Sequence, residues 1–186
     1  MKKIALIATL VLAASAASAA DLMAFGRYDY DNATSTSKVD LNRGTVGVAA
    51  SFGQYGTIDA GLVGARLRTQ FGSGSDQGIE VGYSNGTTFG KLGVSGRLGY
   101  ARYNETSLDV LRLSTEVTYP LAAGVVAVAG VEHIRAENDA VANRFSVGTD
   151  LAVAKNVSTR IAATRTNFTG SSVAANGLTI GVSYKF

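Results

Sequence analysis

From Leu22 to the end of the chain, apolar and polar residues alternate with a period of two, and turn residues interrupt the alternation at regular spacing. This predicts strands near 22–31, 39–52, 57–71, 77–85, 89–103, 108–119, 124–136, 143–154, 157–168 and 176–186. The segments between them alternate in character. Residues 32–38, 72–76, 104–107, 137–142 and 169–175 are longer and polar, whereas 53–56, 85–88, 120–123 and 155–156 are short. Asn85-Gly86 is a strong hairpin signal, because both residues tolerate positive φ. Pro120 fits a turn, where a missing N–H costs no ladder bond.

Within each strand the two faces differ in kind. Leu92, Val94, Leu98 and Tyr100 oppose Lys91, Ser95 and Arg97. Leu111, Leu113, Val117 and Tyr119 oppose Arg112, Ser114, Glu116 and Thr118, and Phe145, Val147, Leu151 and Val153 oppose Arg144, Ser146 and Asp150. Aromatic residues gather at strand ends. Phe25, Phe52, Tyr55, Tyr83, Phe89, Tyr119, Tyr184 and Phe186 mark one edge; Tyr30, Phe71, Tyr100, Tyr103, Phe145 and Phe168 mark the other. A soluble sandwich would bury its rings at strand centres. Two aromatic girdles around an aliphatic belt, with the charges on the opposite face, predict an all-β transmembrane antiparallel up-and-down barrel. Ten strands is the expected number, and eight the alternative if two of the strands are extended arms. A monomer is expected, because no strand shows a flat outward face of small residues.

The N-terminus has a different pattern. Lys2 and Lys3 precede the apolar run 4–14, and small residues 15–20 follow it. This is a secretory signal with cleavage after Ala19 or Ala20; the apolar run is too short to span a bilayer. Residues 1–20 are therefore assigned to a signal peptide and 21–186 to the barrel. Removing Lys2 and Lys3 changes the charge picture. Lys plus Arg falls from 17 to 15 against 14 acidic residues, so the formal +3 becomes about +1. No basic run and no nucleic-acid motif is present.

The chain ends Leu178-Thr-Ile180-Gly-Val182-Ser-Tyr184-Lys-Phe186. A terminal Phe preceded by apolar residues at every second position resembles the sorting signal of small bacterial outer-membrane β-barrel proteins, the porin-like group. The resemblance implies a place in the outer membrane of a Gram-negative bacterium, and recognition of Tyr184 and Phe186 by the barrel-assembly machinery. It also implies contact with outer-membrane lipid and lipopolysaccharide. It names no activity.

Function would then reside in the lumen. The strand parity turns Arg27, Asp29, Arg43, Arg66, Arg68, Glu80, Lys91, Arg97, Arg112, Glu116, Glu132, Arg144, Asp150, Arg160 and Lys185 inward. With ten basic and five acidic side chains, this lumen would be basic. Of these, Arg66, Arg68, Glu80, Arg97, Arg112, Glu116, Glu132 and Arg160 are the candidate pore-lining residues. Two readings follow. A porin-like barrel would pass small polar or anionic solutes along a positive path. A structural or surface-interaction barrel would hold the same charges as ion pairs filling its interior and carry nothing.

An enzyme has less to draw on. Catalytic barrels that cut peptides or modify lipids use a His with an acid or a Ser. The single His is His133, in Glu132-His-Ile-Arg135, on the face opposite Glu132. No catalytic residue is assigned. With no Cys, one His and no EF-hand or phosphate-binding motif, no metal or cofactor is expected. The polar loops are short, which disfavours a large protein interface.

Overall fold

In the computed structural model, residues 21–34, 38–171 and 173–186 are described. The predicted signal segment 1–20 lies outside them. Ten strands run in sequence: β1 (Asp21–Thr34), β2 (Lys38–Ser51), β3 (Thr57–Thr69), β4 (Gly72–Phe89), β5 (Leu92–Tyr103), β6 (Asp109–Ala122), β7 (Val125–Ala136), β8 (Val141–Ala154), β9 (Val157–Phe168) and β10 (Ala174–Lys185). Each strand pairs antiparallel with its neighbours in sequence, and β1 pairs with β10, closing the barrel. Closure leaves no unpaired edge, which a bilayer would not tolerate. The alternative of eight strands is excluded.

The outer surface carries the apolar face. Leu62, Leu98, Leu113, Val147, Ile161 and Ile180 are exposed there. Tyr83, Tyr119 and Tyr184 lie toward the end that carries the chain termini, Tyr30, Tyr100 and Phe145 toward the opposite, distal end, and Tyr28 at mid-strand. By the convention of this architecture the distal end faces outward from the cell. Strands of 12 to 18 residues are long for their task. Even 12 residues extend about 40 Å, or about 30 Å when tilted by about 40°, against an apolar band of about 25 Å. The distal strand ends therefore stand clear of the bilayer.

Two expected turns fall elsewhere. Asn85-Gly86 is not a hairpin; β4 continues through it to Phe89, pairing Asn85 with Gly96 and Gly86 with Ser95. A Cβ on Gly86 would sit 2.7 Å from the Val94 carbonyl oxygen, so close strand approach is what the glycine provides there. Gly90, at φ +62, makes the turn instead. Pro120 lies within β6, at a register shift opposite β7, and Gly124 at φ +74 makes the turn. A bulge accommodates the missing N–H as a turn would. The segment 72–76 is strand, so the β3–β4 connection is shorter than expected.

A charged lumen and its outer cup

Among the described residues six arginines and eight carboxylates face the lumen, and all but Asp76 are joined in ion pairs. On the β1–β5 side, Arg97 of β5 binds Asp59 of β3 in bidentate fashion at 2.6 and 3.0 Å, and Glu80 of β4 at 2.9 Å. Glu80 also pairs with Arg43 of β2. Arg43 reaches Asp29 at 3.6 Å, and Asp29 takes Arg27 at 3.2 Å and Arg144 of β8 at 3.3 Å. Arg144 continues to Asp31 at 3.5 Å. Thr179 and Thr164 hydroxyls donate to Asp29 and Asp31. Arg112 pairs with Glu132 at 3.3 Å. Nearer the termini, Arg160 joins Asp150 at 2.7 Å to Glu116 on β6. Such pairs are stable because each charge has its partner; their net stabilisation is small, whereas removing one member is costly. Gly82 makes room for this network: a Cβ there would lie 2.4 Å from the Arg97 guanidinium and 2.6 Å from Asp59.

Glu80, Arg97, Arg112, Glu116, Glu132 and Arg160 thus lie in the lumen. Arg66 and Arg68 do not. They share the face of Ile58 and Leu62, exposed on the outer wall, while Val63, Ala65 and Leu67 turn inward. The parity of β3 is opposite to that read from its arginines, and Asp59 is its inward charge. Lys91 sits exposed beside the turn after β4, and Lys185 binds Asp21 at the terminal rim at 2.7 Å. With Asp31, Asp59 and Asp76 added, the lumen is not basic: its carboxylates slightly outnumber its arginines. Phe25, Tyr103 and Phe168, expected in the girdles, point inside; Gly47 faces the Phe25 ring, Tyr103 is buried, and Phe168 lines the distal lumen. Tyr184 and Phe186 are exposed and stack edge to face at 5.1 Å.

Above the network the lumen changes character. A cavity of about 600 Å³ occupies the distal end, walled by Leu41, Ala65, Tyr103, Val110, Ile134, Ala136 and Phe168. Arg43, Arg112, Arg144 and Asp31 form its floor. Below lie a chamber of about 120 Å³, bounded by Arg144 and Arg160, and a mouth of about 440 Å³ at the terminal ends of β4, β5 and β6. Sequence reasoning missed the cup, because it read every polar face as inward. The available signal was Leu41, Ala65, Leu67 and Ile134 sharing a parity with inward charges on their own strands.

At the cup rim Asp76 holds the 105–106 loop. Partial burial opposes its charge, but the Thr106 hydroxyl and the N–H groups of Glu105, Thr106 and Gln77 donate to it and lower its pKa from 3.8 to about 2.

A closed antiparallel barrel, apolar outside and ionic within, is similar to several solved structures. An outer-membrane channel from Pseudomonas putida F1 superposes with a TM-score of 0.62 at 10% identity, over 90% of this chain and 96% of that one. The chain has the outer-membrane β-barrel fold. The translocator domain of the Neisseria meningitidis autotransporter NalP gives 0.51 at 14% identity, over 97% and 95% of the two chains. The β domain of the Bordetella autotransporter BrkA gives 0.52 at 11%, over 88% and 98%. No family model and no curated protein matches the sequence. His133 lies on the outer wall of this barrel, where Nδ1 is 2.9 Å from Asn143 Oδ1. No acid or Ser is joined to it by a hydrogen bond among the described residues.

Proposed function

We propose that the protein is a narrow, porin-like channel of the Gram-negative outer membrane that passes small polar solutes. One observation carries the reading. Charge pairs cross the lumen from both sides, but inward Ser114, Gly130, Ser146, Ala162 and Thr164 are small and leave a chamber of about 120 Å³ among them on the β6–β10 side. That chamber lies between the cup and the terminal mouth, with Arg144 at its upper boundary and the Arg160–Glu116 pair spanning it. Solutes would pass one guanidinium at a time. Because the carboxylates slightly outnumber the arginines, ion selectivity should be weak and lean toward cations rather than anions.

Single-channel conductance in planar bilayers tests this. Small stable steps, enlarged in Arg144→Ala and Arg160→Ala, are expected. Silence in the wild type and both variants would favour a structural barrel, a reading that the continuous chain of pairs from Asp59 to Asp31 also supports. We further propose that lipopolysaccharide phosphates meet the outer wall at Arg66, Arg68, Arg102, Arg135 and Arg165, all exposed near the distal rim. Tyr184 and Phe186 are proposed as the assembly signal, and the barrel as a monomer.

A further inference from the structure

The geometry points to the outer cup as a binding site for an amphipathic anion, a single apolar chain ending in a carboxylate or similar group held head-down on the arginine floor. The walls come first. Leu41, Ala65, Val110, Ile134 and Phe168 bring aliphatic and aromatic surface from five strands to one cavity. A cavity of about 600 Å³ is in the range of sites that enclose small organic ligands, which run from about 300 to 1,000 Å³. Water gains little there, because it has few partners along such walls.

The floor sets the sign of the head group. Both carboxylates on the cup are already engaged. Asp76 accepts four hydrogen bonds from residues 77, 105 and 106, and Asp31 takes the Thr164 hydroxyl and Arg144. Donors on the same floor are not all engaged. Arg43 is 4% exposed; its Nε makes no hydrogen bond, and its Nη1 meets only Asp29, 3.6 Å away; Arg112 is 7% exposed, and its Nε makes no hydrogen bond. The Thr166 hydroxyl, also buried on the cup, is likewise unpaired. Buried polar groups are rarely left so, and each unmade bond is costly. These donors are covered in the empty barrel, so an anionic oxygen pair would meet them as the floor guanidinium groups turn toward it; a cation would meet only spent carboxylates.

This inference does not rest on the channel reading, since a closed barrel would hold the same ligand. The test is calorimetric titration of the protein, purified from outer membranes into zwitterionic nanodiscs, with hexanoate, octanoate and decanoate. Empty nanodiscs supply the background. Saturable one-to-one binding is expected, tightening about fourfold per added methylene. Decanol should bind about tenfold more weakly or worse, because it forgoes the charge-assisted bonds. Ala65→Trp, which puts an indole into the cup, should weaken the saturable binding clearly while the barrel keeps its heat-modifiable migration. Equal binding of decanol and decanoate, tighter binding of decylammonium, or unchanged binding in Ala65→Trp would each overturn the proposal. Arg112→Gln should weaken decanoate and leave decanol unchanged; if that variant fails to fold, the decanoate–decanol pair on the wild type still decides.

Discussion

The middle of the barrel and its distal end are built on the same ten strands with opposite rules. In the middle, Leu113 and Val147 face out while Arg112 and Arg144 face in. Nearer the distal ends of the strands, Arg66, Arg68 and Arg102 face out while Ala65, Leu67 and Ala101 face in. The contrast follows from what lies outside the wall. Against hydrocarbon the exterior must be apolar, so polar residues turn inward and must pair with one another. Above the bilayer the exterior meets water and head groups, so the strands return to the patterning of a soluble barrel with an apolar interior. Where the wall crosses from one medium to the other, the lumen crosses from ionic to apolar.

The largest effect should come from breaking the middle. Glu80→Ala leaves Arg43 and Arg97 each short of a buried partner, and should cost about 3–5 kcal/mol in urea unfolding of the folded barrel. A loss below about 1 kcal/mol would mean that the network is wet and loosely held. Next comes the belt. Leu113→Arg places a charge against lipid near mid-span and should cost about 2–4 kcal/mol, read by the same unfolding series.

How far these regions were legible differs. Strand number, closure, the outward belt and most of the inward charges follow from period-two alternation, because a bilayer imposes one polarity on a whole face. Arg66 and Arg68 were misplaced for the same reason: a rule valid in hydrocarbon was carried past its edge. Asn85-Gly86 was misread because its turn chemistry is also what a strand crossing needs where two backbones approach closely. The pairing of Arg97 with Asp59 rather than a nearer residue could not be read from one strand at a time. It depends on the register of three strands and on the empty side of Gly82.

The rim gives a smaller, local effect with a defined pH window. The folded Asp76 carboxyl titrates near 2, below its ordinary 3.8. The tie to the 105–106 loop is thus fully present above about pH 4 and is lost as pH falls through about 2. Amide exchange at Glu105 and Thr106, corrected for its intrinsic pH dependence, should show constant protection down to about pH 4 and loss of protection below it. Asp76→Asn should abolish that dependence. A midpoint near 4 would show that these donors do not favour the charged form.

The smallest effect separates the two regions most cleanly. Arg66→Ala and Arg68→Ala remove charges that sit on the outer wall among Asp40, Asn42, Ser73 and Ser75 rather than in the ion-pair network. Each should change unfolding stability by no more than about 0.5 kcal/mol. Conductance should not move, because neither side chain reaches the lumen. Binding of phosphorylated lipopolysaccharide should weaken, and the loss should shrink as salt rises. Arg97→Ala is the matched control, since it strands Asp59 and Glu80 inside the barrel and should behave like Glu80→Ala. If Arg66→Ala cost as much as Arg97→Ala, or altered conductance, β3 would have the parity its arginines suggested, and the apolar cup would lose Ala65 and Leu67 from its wall.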